Sequence, residues 1–103
     1  MIPFTLDVTP AGELLAVLTL KPVDNKTVKM RQVAVDPKSQ SKGLGTYLVQ
    51  ESEKFATVKG FEKIELHARD TAVNFYKKSG YIPKGKIFKE VGIDHLSMYK
   101  ILT

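Results

Sequence analysis

Apolar and polar residues alternate over 4–8, and a β-rich run occupies 13–20, with Thr9-Pro10-Ala11-Gly12 supplying turn chemistry between them. The two runs are expected to pair as a hairpin. Pro22-Val23-Asp24-Asn25-Lys26 interrupts the second run, and 27–35 resumes as a third strand closing on Val33-Ala34-Val35 before Asp36-Pro37 ends it. Over 43–59 the period lengthens to that of a helix. Leu44, Leu48, Phe55 and Val58 fall on one stripe, Gln50, Glu51, Glu53 and Lys54 lie away from it, and Gly60 stands where a helix C-terminal glycine belongs. Alternation returns over 62–69, placing Ile64, Leu66 and Ala68 on one face and Glu65, His67 and Arg69 on the other. A short helix is expected over 71–78, with the stripe Ala72, Phe75, Tyr76 and a stop at Gly80; 81–87 and 95–102 read as two further strands. Three antiparallel strands followed by strand-helix-strand-helix-strand units predict a mixed α/β fold.

Composition narrows the class of protein without choosing a function. At 103 residues, 43% hydrophobic and 26% charged, with no repeat, low-complexity tract or linker, the chain reads as one soluble domain spanning 1–103. The longest nearly uninterrupted apolar run, 14–20, contains Thr19 and falls far short of the roughly 20 residues a membrane span needs. A membrane partner is therefore not expected. No basic, then apolar, leader opens the chain, and cysteine is absent, which removes disulfides, thiolate zinc sites and a cysteine nucleophile. The cytoplasm is the expected location. A net charge of +5 favours an anionic partner. Lys77, Lys78, Lys84, Lys86 and Lys89 are crowded together, but they are not interleaved with aromatics on one strand and no nucleic-acid-reading motif accompanies them, so nucleic acid is not expected. His67 and His95 lack the carboxylate spacing of a metal pair, so no metal is expected.

The most informative stretch runs from Val33-Ala34-Val35 through Gln40-Ser41-Lys42-Gly43-Leu44-Gly45-Thr46 into the long helix. A strand, a glycine-bearing loop and a helix start aim unsatisfied backbone N–H groups and the positive end of the helix dipole at an anion. Two nucleotide loops fail here. Lys42 precedes Gly43 where a P-loop lysine would follow the glycine, and Leu48 stands where a dinucleotide fingerprint needs its third glycine.

The string Gln40-x-x-Gly43-x-Gly45, between a strand and a helix, resembles the acyl-CoA-binding motif of the GNAT superfamily of N-acetyltransferases. Ala72-Val73-Asn74-Phe75-Tyr76-Lys77-Lys78-Ser79-Gly80-Tyr81 is similar to that superfamily's helix with a Phe-Tyr pair ending at Gly-Phe or Gly-Tyr. The segment from Phe88 to Met98 resembles the closing Gly-Ile-x-His-x-x-Met pattern of its small bacterial branch. The resemblance covers the chain from about Phe4 onward. It implies a mostly antiparallel mixed sheet with a splayed central strand pair and two helices, lacking the family's usual first strand and N-terminal helices. It implies acetyl-CoA as acyl donor, with Val33, Ala34 and Val35 along the pantetheine arm. Ser41, Lys42, Gly43, Leu44, Gly45 and Thr46 would receive the pyrophosphate, Gln40 would hold the loop, and Phe75 and Tyr76 would lie beside the donor.

The transfer that the resemblance implies is direct attack of a primary amine on the thioester, with a backbone N–H holding the oxyanion and Tyr76 protonating the departing thiolate. A phenol of pKa about 10 suits a thiolate of similar basicity. His95 and Glu90, with Asp94 near them, are the candidates for a base, and His67 is a further one. The missing N-terminal elements leave a sheet face and edge uncovered, so a homodimer is a possible assembly. The alternative reading is a CoA-binding module of the same fold without turnover.

Overall fold

A computed structural model of the chain describes residues 3–8, 12–38 and 43–102. Strands β1 (Phe4–Val8), β2 (Ala16–Pro22) and β3 (Thr27–Val35) form the expected antiparallel meander, with Phe4 opposite Leu20 and Leu20 opposite Met30. Helix α1 (Leu44–Val58) carries the chain to β4 (Lys63–Arg69), which lies parallel to β3. Parallel neighbours need such a crossover, because a tight turn only reverses direction. After a 3-10 turn at Asp70–Ala72 and α2 (Val73–Lys78), strands β5 (Ile82–Glu90) and β6 (Ile93–Ile101) return as a hairpin. The sheet order is β1-β2-β3-β4-β6-β5, so β6 lies between β4 and β5. This is the predicted mixed, mostly antiparallel sheet with two helices.

One face of the sheet forms the core. Leu18, Leu20, Val28, Ile64, Leu66 and Met98 meet Leu48, Val49 and Ala56 of α1, all nearly inaccessible to water. Ser52 is buried among them, its hydroxyl donating to the Val49 carbonyl at 2.6 Å. The stripe expected on α1 needs correction. Its buried face is centred near Ser52, and Val58, turned roughly 120° away at about 100° per residue, is 85% exposed. Glu53, expected to point away, is instead held inward by Lys100 of β6, whose Nζ lies 3.0 Å from Oε1 and also donates to the Ser79 carbonyl at 2.8 Å. One lysine thus ties β6 to both helices. The Glu53 carboxylate also faces the buried Tyr81, whose hydroxyl is pushed far above its ordinary pKa by burial and then by that neighbouring charge.

The last hairpin differs from the expected boundaries because its turn is tight. Glu90 pairs with Ile93, so the connection is Val91 and Gly92 alone, both with positive φ, 53° and 73°. Two such residues make a type I′ turn, whose twist matches that of the strands it joins. Valine is a poor residue for it, which hides the turn from the sequence. β5 is an edge strand, and an irregularity between Lys84 and Phe88, with Pro83, Lys84, Lys86 and Lys89 exposed along it, discourages pairing with another chain. No helix among the described residues is long and apolar enough to cross a membrane.

Candidate functional site

The site originates where β3 and β4 part. Their ladder joins Thr27 to Lys63 through Met30 to Leu66 and ends there, although both strands continue, to Val35 and Arg69. β3 also carries an extra residue at this point. Thr19 faces Arg31 and Val17 faces Ala34, so Gln32 and Val33 together oppose Leu18, a β-bulge. The bulge shifts the alternation. Val28 and Met30 face the core, Arg31 faces away, and then Val33 and Val35 turn to the helix side.

Between the parted strands lies a cleft of about 840 Å³ with two unlike walls. The helix-side wall is formed by Val33, Val35, the start of α1 at Gly43, Gly45 and Thr46, and Phe75 and Tyr76 of α2. The two glycines act differently. Gly43 is the N-cap residue of α1 at φ 75°, and among the described residues a Cβ there would meet nothing within 4 Å, so none of them obstructs the approach to the first helical turn. A Cβ on Gly45 would lie 3.4 Å from the Phe75 ring and 3.7 Å from Val35, ordinary van der Waals contact, so this position marks where α1 meets Phe75 of α2 and Val35 of β3. Among the described residues no side chain caps the α1 N-terminus and no acid lies in its first turn, so neither takes up its first amides or offsets the positive end of its dipole. Tyr76 is 8% exposed and packs edge-to-face on Phe75 and Tyr81, at 5.0 and 5.7 Å between centroids. Burial raises its pKa, so it is held as a phenol, a proton donor.

The second wall is polar and lies on the sheet face away from the helices, where Arg31, His67, Arg69 and His95 line the cleft. His67 Nδ1 donates to Glu90 Oε2 at 3.0 Å, and Lys29 Nζ lies 3.4 Å from the same nitrogen. That hydrogen bond holds the Glu90 carboxyl below the usual carboxylate range. Phe88 links the two histidines, edge-to-face with His67 at 5.0 Å and stacked with His95 at 6.0 Å. His95 Nδ1 donates to the Ile93 carbonyl at 2.8 Å, which leaves Nε2 of the neutral ring as an acceptor.

Of the residues expected at the site, Val33, Val35, Gly43, Gly45, Thr46, Phe75, Tyr76 and His95 line the cleft, and Glu90 reaches it through His67. Ala34 is exposed opposite Val17 and is not among the lining residues, because the alternation past the bulge turns it away. Leu44 packs against the core. Asp94 is engaged by Lys89 at 2.9 Å. Gln40, Ser41 and Lys42 lie outside the described residues. Arg31 and Arg69 belong to the cleft and were not expected there. The alternation of 62–69 already set Arg69 beside His67, and Arg31 lies on the open face by ordinary alternation from the core-facing Met30, before the bulge; only the parting of β3 from β4 makes either a lining residue of the cleft.

The model of the acetyltransferase (GNAT) domain matches residues 9–102. The uncharacterized N-acetyltransferase YjcF of Bacillus subtilis (strain 168) is 37% identical over 73 residues, 70% of this chain and 52% of that protein. The uncharacterized protein YyaT of the same organism is 32% identical over 77 residues, covering 75% and 52% respectively. The chain thus spans about half the length of these curated relatives. Among solved structures, an acetyltransferase from Bacillus cereus ATCC 14579 superposes with a TM-score of 0.87 at 26% identity, covering 98% of this chain and 74% of that one. An aminoglycoside 6'-N-acetyltransferase complexed with coenzyme A shares the fold, with a TM-score of 0.88 at 16% identity, covering 98% and 73%.

Proposed function

The chain belongs to the acetyltransferase (GNAT) domain family, and on that premise we propose that it transfers an acetyl group from acetyl-CoA to a primary amine by direct attack in a ternary complex. One observation carries this reading: the cleft between the parted strands brings the uncapped start of α1, the buried Tyr76 and His95 to one place. The wall of Val33, Val35 and Phe75 fits an apolar thioester arm, and the unobstructed approach at Gly43 fits its phosphates. Acetyl-CoA supplies the activated acyl group and a thiolate leaving group. The chain's own residues position and move protons. His95 Nε2 takes a proton from the incoming ammonium, with Nδ1 fixed by the Ile93 carbonyl. Glu90 acts one step removed, holding His67 and through it Phe88 against the His95 ring, so it is a positioning residue. Tyr76 gives its proton to the thiolate. Gln40, Ser41 and Lys42, adjoining Gly43 in sequence, complete the phosphate loop in this reading.

The test is Tyr76→Phe, assayed by thiol release from acetyl-CoA with a mixed amine library and by calorimetric titration of acetyl-CoA. Turnover is expected to fall about 10²-fold or more with acetyl-CoA binding retained. Unchanged turnover would remove Tyr76 from the chemistry. Acetyl-CoA binding without thiol release by the unaltered chain would make it a binding module.

A further inference from the structure

We propose that the amine acceptor carries an anionic group, a carboxylate or a phosphate, and that Arg31 and Arg69 recognise it; this rests on the transfer reading above. The first observation is the charge of the cleft. No aspartate or glutamate is among its described lining residues, whereas two guanidiniums and two imidazoles are. A polycationic amine would enter such a site against its field, and an amine bearing a negative group would be drawn into it.

The second observation is where the charges lie. Arg31 and Arg69 follow Met30 and Ala68, which face the core, so both project from the sheet face opposite the helices, on the wall that holds His67 and His95. The uncapped helix start that suits the phosphates of the donor is on the other wall. The arginines therefore address the acceptor side of the seam.

The third is that these arginines are uncommitted, while three of the four nearby acids have side-chain partners and the fourth, Asp70, has a local backbone one. Glu65 pairs with Lys63 at 3.1 Å, Glu90 with His67 at 3.0 Å and Asp94 with Lys89 at 2.9 Å, and an Asp70 oxygen accepts the Thr71 N–H at 2.9 Å. Among the described residues neither the Arg31 nor the Arg69 guanidinium has an ion-pair partner. A pair of exposed, planar donors flanking a cleft is suited to bidentate capture of carboxylate or phosphate, with the amine left to reach His95.

Thiol release is measured with β-alanine against β-alanine amide, with phosphoethanolamine against ethanolamine, and with spermidine. The anionic member of at least one pair is expected to exceed its neutral partner in kcat/KM by about tenfold or more, with spermidine poorest; the better pair identifies carboxylate or phosphate. Arg31→Gln with Arg69→Gln should abolish the preference while calorimetry shows acetyl-CoA binding unchanged. A neutral amine or spermidine matching the anionic amines overturns the proposal, as does a preference that survives both substitutions. If no amine releases thiol, the transfer reading fails by itself. NMR titration of the CoA-saturated chain then decides the inference: shifts at Arg31 and Arg69 with β-alanine or phosphoethanolamine, absent with spermidine, uphold it, and their absence overturns it.

Discussion

On one side of β4, Ile64, Leu66 and Ala68 are sealed in the core, while on the other Glu65, His67 and Arg69 stay within reach of water. The first set meets the apolar faces of neighbouring strands and has no titratable atom. The second sits among charged and aromatic side chains contributed by β3, β5 and β6. Stability and the proposed chemistry thus fall on opposite faces of the same strand, and each is expected to be perturbed with little effect on the other.

The largest separation is expected from two adjacent residues. Ile64→Ala should lower the unfolding free energy by about 2–5 kcal/mol, and Glu65→Ala, which loses a surface pair with Lys63, by less than about 1 kcal/mol. Urea denaturation measures both, and comparable losses would show that the open face is structural after all. A smaller effect of opposite sign is expected at the turn of the open-face hairpin. Val91 is 92% exposed and holds φ at 53°, where a β-branched residue is strained. Val91→Asn supplies the residue that a type I′ turn favours and should stabilise the chain by about 1 kcal/mol; no rise in Tm would mean that the turn relaxes without penalty. The smallest effect concerns Glu90. Its carboxyl should titrate below the ordinary 4.5 and return toward that value in His67→Ala, as followed by carbon-detected NMR. Since the folded value is depressed, any stability the pair provides is present above pH 4.5 and is lost as pH falls through the lowered value. A titration unchanged by removing the imidazole would break the link between β4 and β5.

Most strands and both helices were legible because their apolar periods are regular. The exceptions share a cause: a local break in period whose meaning depends on the partner strand. Val28, Met30, Val33 and Val35 are spaced by two, three and two, and only the pairing of β3 with β2 turns the odd interval into a bulge. At Val91 the side chain type argues against the backbone conformation that the hairpin imposes. The helix-side wall was legible since its residues follow one another along the chain or belong to recognisable motifs. His67 and Glu90, by contrast, come together only because β6 separates β4 from β5 by a single strand, a juxtaposition that no local pattern encodes.

That strand order also bears on how the fold is reached. β6 follows β5 in the chain yet takes an interior place, so β4 keeps an open edge until residues 93–101 pair along it. The β1-β2-β3 meander and the β5-β6 hairpin can each close from local contacts, but the cleft's polar wall, and the lysine that joins both helices, wait for the hairpin to dock on β4 through β6. During that interval the unpaired backbone edge of β4 is the place where misassembly would begin.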